Sequence, residues 1–121
     1  MSFGRSLSVD LYDVDSELCD DLAYCYQVLT DLVDFLGMHA QSPPFIFRSP
    51  HNEYPDKKGL SGWIPLIESG IQIHTMTLQK FISLDIYTCG ELNAERVVSF
   101  IEDRFAGKNY EVHYLERGIK F

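Results

Sequence analysis

Glu68 and Ser69 stand at the bend of the stretch "IESGIQIHT", His74 follows five residues later, and Cys89 closes the next apolar strand. A serine hydroxyl set directly after a peptide carbonyl at a bend raises the question of whether the backbone itself is the reagent. Taken singly, each residue has an ordinary reading. Ser69-Gly70 is a common hairpin pair, Cys89 fits a small buried hydrophobe, His74 fits a strand, and Ser61 alone says nothing. Metal chemistry finds no support. Cys19, Cys25 and Cys89 lack the spacing of a metal knuckle and cannot all pair within one chain, so reduced thiols are expected. His39, His51, His74 and His113 form no HxxxH or HxH pair, and no metal is expected.

Elements must hold these residues in place. "SLSVDLY" alternates, with Leu7, Val9 and Leu11 on one side of a half-buried strand. Asp15 or Ser16 caps a helix predicted over about residues 16–37. There Leu18, Leu22, Leu29, Val33 and Leu36 recur at helical spacing, Glu17, Asp20 and Asp21 suit the positive start, and Gly37 is a stop. Residues 41–59 hold four of the five prolines and read as loop, with room for a short strand around Phe45 to Arg48. Such a loop is either functional or merely variable surface.

From residue 61 the pattern is β-rich. In "WIPLI", Pro65 lacks a donor and marks an edge or bulge. "IQIHT" and "FISLDIYTC" alternate, the second placing Ile82, Leu84 and Ile86 on one face. Asn93 caps a second helix with Val97, Ile101 and Phe105 at i, i+4 and i+8, closed by Gly107, and "NYEVHYLE" is a last strand. The order β-α-β(βββ)-α-β gives an α+β fold: a two-layer sandwich with two helices on one face of a mainly antiparallel sheet, in a single domain over 1–121.

The chain has 121 residues, 45% of them hydrophobic and 23% charged, with a formal net charge of -8. Nucleic-acid binding needs clustered positive charge and is not expected. No apolar run spans a membrane and the N-terminus lacks the pattern of a signal peptide, so a cytoplasmic location is expected.

Together the motifs have a recognisable source. "GLSGWIPLIESGIQIHTMTLQKFISLDIYTCGE" resembles the core of the small bacterial and archaeal S-adenosylmethionine decarboxylase proenzymes, with their G-x-S-G, E-S, I-H-T and T-C-G motifs at matching spacings. "GRSLSVDLYDVD" and "LERG" resemble that family's two ends, so the likeness covers nearly the whole chain except the longer loop at 41–58. It implies self-cleavage between Glu68 and Ser69, giving chains 1–68 and 69–121. Ser69 becomes a pyruvoyl group, His74 acts as the processing base and Ser61 assists processing. It further implies that the pyruvoyl ketone takes the substrate amine as a Schiff base, that Cys89 returns a proton after CO2 departs, and that the enzyme serves polyamine (spermidine) synthesis as a homodimer with its site near the interface.

The departures concern the substrate. Gly70 stands where the family usually has His, and Met76-Thr77-Leu78 replaces W-P-E, whose Glu contacts the ribose of S-adenosylmethionine. Tyr54 is the nearest aromatic to stack on a nucleoside, although the family's position falls at Pro55. The substrate implied is S-adenosylmethionine. Ornithine or arginine is the alternative within the family, and a non-cleaving binding or regulatory paralogue is the alternative outside catalysis.

Overall fold

Apolar residues at every second position commit four central strands to a single buried face. In the computed structural model, which describes residues 2–50 and 52–121, Leu7, Val9 and Leu11 of β1 (Gly4–Tyr12) point to the same side as Ile82, Leu84 and Ile86 of β5 (Phe81–Thr88). Ile71 and Ile73 of β4 (Ser69–Met76) and Leu60, Ile64 and Leu66 of β3 (Leu60–Leu66) continue that layer. With β2 (Phe45–Arg48) and β6 (Asn109–Arg117) they form one six-stranded sheet, ordered β2-β3-β4-β5-β1-β6, in which every pair is antiparallel. The α+β two-layer sandwich expected from the sequence is what forms.

The apolar stripe of α2 (Leu22–Phe35) and that of α3 (Ala94–Phe105) close the core with Val28, Leu29, Leu32, Val97, Ile101 and Phe105. Each such side chain contributes about 1.5–3 kcal/mol by leaving water. The long first helix predicted over 16–37 is instead two. α1 (Ser16–Cys19) is capped by Asp15, and α2 has its own cap in Asp21, which accepts from the Tyr24 N–H. Adjacent aspartates favour caps over helix interiors because their carboxylates compete for backbone N–H groups. Asp20, between the helices, accepts from the Arg48 guanidinium at 2.8 Å and from the Thr77 hydroxyl at 3.0 Å. This contact ties α1 to β2 and to the segment after β4.

Gly37 does stop the helix, with φ at 67°. Pro65 accepts from the Gln41 N–H through its carbonyl, so the edge that lacks a donor faces away from β4, beyond the end of β2. α3 turns off at Ala106, which takes the left-handed conformation, while Gly107 lies against Leu11 so closely that a Cβ would fall 2.5 Å from it. No described helix is long and apolar enough to cross a membrane.

Gly59 sets where β3 begins. Its φ is 153° and a Cβ there would lie 1.9 Å from the Thr75 carbonyl oxygen, on the neighbouring strand β4. A Gly59→Ala variant combines disfavoured backbone with a backbone clash, and should lose at least about 2 kcal/mol of stability in urea unfolding. A midpoint equal to that of the parent would contradict this account of the turn.

Candidate active site

β4 begins at the bond that the sequence singles out. Ser69 has φ at 144°, a region that side-chain-bearing residues rarely enter and one worth about 1–3 kcal/mol of strain. The peptide before it is gripped on several sides. The Glu68 carbonyl accepts from the Cys89 N–H at 2.9 Å, and Ile67 N–H donates to the His39 carbonyl at 2.9 Å. The Glu68 carboxylate accepts from the His39 backbone N–H at 3.0 Å and, at 2.7 Å, from His39 Nδ1. The hydrogen bond from the His39 ring holds the Glu68 carboxyl below its ordinary range, helped by the bond from the His39 backbone.

Strand register brings two other residues together. Ser61 on β3 lies opposite His74 on β4, with Ser61 Oγ 2.9 Å from His74 Nδ1. Yet both Ser69 and His74 lie on β4, and five residues of extended strand separate them by about 16 Å. A single chain therefore holds these residues in two separate groups: Glu68, Ser69 and Cys89 at one end of the hairpin, Ser61 and His74 at the other.

Two neighbouring cavities lie on the face away from the helices, one beside Ser69 and one beside Ser61. Near Ser69 a cavity of about 370 Å³ is lined by Trp63, Gln72, Asp85 and Tyr87, and near Ser61 one of about 400 Å³ is lined by Phe45, Phe47, Trp63 and Gln72. Trp63 and Gln72, paired across β3 and β4, border both. Trp63 stacks on Phe45 with centroids 5.7 Å apart. Asp85 is the acidic residue lining the cavity beside Ser69, and Ser8 Oγ donates to it at 2.6 Å.

The departures from the family pattern acquire physical reasons. A Cβ at Gly70 would come within 3.3 Å of Trp63 Nε1, so the bare glycine leaves room for the indole. Thr77 is buried and held by Asp20, while Leu78 is 62% exposed. Tyr54, 55% exposed, precedes a short 3-10 turn at Pro55–Lys57 and lines neither cavity. The aromatic residues beside Ser61 are Phe45, Phe47 and Trp63. The alternation of "FIF" put the two phenylalanines on one face, but nothing in the sequence said that β2 pairs with β3. His39 carried no signal at all. Cys89 is exposed, whereas Cys19 and Cys25 are buried. Burial pushes the Cys25 thiol up to about 12 and raises that of Cys19.

Known proteins are similar to this chain in sequence and in fold. The protein is 30% identical over 118 residues to an arginine decarboxylase proenzyme of Pyrobaculum arsenaticum, across 97% of this chain and 86% of that one. It is 29% identical over 119 residues to an S-adenosylmethionine decarboxylase proenzyme 2 of Bacillus anthracis, covering 98% and 91% of the two chains. The crystal structure of the adenosylmethionine decarboxylase from Aquifex aeolicus superposes with a TM-score of 0.81 at 27% identity, covering 98% of this chain and 92% of that one. The family model for S-adenosylmethionine decarboxylase matches residues 5–118, and the chain belongs to that family.

Proposed function

We propose that the protein cleaves itself between Glu68 and Ser69 and then works as a pyruvoyl-dependent decarboxylase of a cationic amino-acid-type substrate. The observation that carries this reading is the Glu68–Ser69 peptide. Its carbonyl oxygen rests on the Cys89 N–H, and the residue that follows is in strained backbone. An N–H already on that oxygen stabilises the negative charge that develops when Ser69 Oγ attacks the carbonyl carbon. The C–N bond then breaks, the hydroxyl proton passes to the released nitrogen, and Glu68 is left as an ester on Oγ. A base takes the α-proton of residue 69, the Glu68 carboxylate leaves, and water replaces the nitrogen as ammonia. Met1–Glu68 and pyruvoyl-69–Phe121 result. The pyruvoyl group supplies a ketone that withdraws electrons while a carboxylate departs.

The base is His74, whose Nδ1 is held by Ser61 and whose other ring nitrogen remains to take the proton. Because His74 cannot reach Ser69 within its own chain, His74 of the partner subunit performs this step in a homodimer. The uncovered sheet face supports that assembly. Phe45, Phe47 and Trp63 are 46%, 67% and 49% exposed there, apolar surface that favours a partner. Two copies related by a two-fold axis near Trp63 and Gln72 would lay the His74 end of one strand over the Ser69 end of the other. Cys89 returns the proton after CO2 leaves.

S-adenosylmethionine is the substrate that the family supports first, and Asp85 beside Ser69 offers a negative charge to its cationic groups. Leu78, exposed and without an acceptor, supports the reading of arginine or ornithine, as does the likeness to an arginine decarboxylase proenzyme. Intact mass tests the core of the proposal. The 13.9 kDa chain should give way to two fragments divided after Glu68, the second carrying a carbonyl, while Ser69→Ala stays whole. A parent that persists at full mass through long incubation would favour a non-cleaving binding role. CO2 release from S-adenosylmethionine, arginine and ornithine then assigns the substrate.

A further inference from the structure

The grip on Glu68 is more elaborate than a hairpin needs. The segment through Ala40 bridges to Leu66, Gln41 N–H donates to the Pro65 carbonyl, and Ile67 N–H donates to the His39 carbonyl. Those contacts already fix the strand. Beyond them, His39 takes both carboxylate oxygens of Glu68, one on its backbone N–H and one on its ring, although its own side chain is 73% exposed. The bidentate contact stops residue 68 from turning about its own axis. That rotation is the one that would carry the Glu68 carbonyl off the Cys89 N–H and away from Ser69 Oγ.

We infer that His39 is a positioning residue for self-cleavage, holding the Glu68 side chain so that the Glu68 carbonyl stays on the Cys89 N–H and open to Ser69. The inference rests on the self-cleavage reading above. It gives the Glu68 carboxylate a purpose distinct from its backbone: the side chain is the handle and the carbonyl is the reacting group. It also makes a division of labour. His39 acts on formation of the ester, which needs the carbonyl in place, while His74 acts on the elimination that follows. Once the bond is cut, residue 68 ends its chain, and His39 has no further part in turnover at residue 69.

The experiment follows cleavage of freshly synthesised chain by intact mass, comparing the parent with His39→Ala and His39→Asn. Misplacement of a reacting group by about 1 Å can cost on the order of a hundredfold. His39→Ala, which keeps the backbone N–H and loses the ring, should cleave roughly tenfold to a hundredfold more slowly, and its full-length chain should resist mild hydroxylamine, which splits an ester at residue 69 but not the peptide. His39→Asn, whose amide still offers a donor toward Glu68, should recover most of the rate. Thermal melting should be the same for all three. Decarboxylation per pyruvoyl group, measured on chains that have finished cleaving, should also be equal. A purely structural role would instead lower the melting temperature and would not be rescued by asparagine. If the parent cleaves and His39→Ala keeps pace with it, the inference falls alone. If the parent never cleaves, the self-cleavage reading falls and takes the inference with it.

Discussion

A His74→Ala chain that does not cleave by itself should cleave when it is co-expressed with a Ser69→Ala chain. In the proposed mechanism the two variants fail for different reasons. Ser69→Ala has no hydroxyl to attack Glu68 and can never be cut. His74→Ala keeps its Glu68–Ser69 bond, its strained φ and its Cys89 N–H, but lacks the base for elimination, and should slow by about 10²–10⁴-fold. In a mixed dimer the Ser69→Ala chain still carries Ser61 and His74 as a hydrogen-bonded pair. It can present that pair to the intact Ser69 of the other chain, and the second site of the same dimer is doubly dead.

Random pairing of equal amounts places about half of the His74→Ala chains in mixed dimers, so about half should cleave at close to the parent rate. Mass spectrometry distinguishes the fragments, since only those of the His74→Ala chain can appear. Were His74 to act within its own chain, mixing would change nothing. The 16 Å along β4 makes that outcome hard to reconcile with an extended strand. Mixed dimers that form and stay whole would therefore overturn the shared site.

The separation of Ser69 from His74 along β4 marks the limit of what the sequence could tell. Alternation in "SLSVDLY", "IQIHT" and "FISLDIYTC" was enough to assign three strands and their buried faces, because a sheet with one side in water imposes a period of two. Gly37 and Asn93 announced their caps for equally local reasons. Asp20 and Asp21 misled because spacing alone counts leucines and ignores that two aspartates in a row prefer helix ends. Ser61, Ser69, His74 and Cys89 stood out as a set of candidates, yet a linear pattern says nothing about distance across a strand. Its members look adjacent on paper while β4 holds two of them far apart. His39 was invisible because its contact with Glu68 crosses 29 positions and depends on the strand-like path of residues 39–41 beside Leu66.

The second large effect separates cleavage from catalysis at one residue. Cys89 contributes its backbone N–H to the Glu68 carbonyl and, in the proposed mechanism, its thiol to the reacting carbon. Substitution removes only the second. Cys89→Ala keeps an N–H at 2.9 Å from the scissile carbonyl oxygen, in a segment that Gly90 anchors by donating to Thr88 Oγ1 at 3.0 Å. Its chains should cut after Glu68 at a rate within a few-fold of the parent. Decarboxylation should nevertheless fall by about 10²–10⁴-fold, the range for loss of a positioned proton donor. The exposed thiol explains why no large stability change should accompany it. Should Cys89→Ala instead remain uncut, the thiol would belong to processing itself. Full turnover in a cleaved Cys89→Ala enzyme would mean that some other group returns the proton. Tyr87, which borders the cavity beside Ser69, would be the first residue to examine, since its hydroxyl is another possible donor on that side of the site.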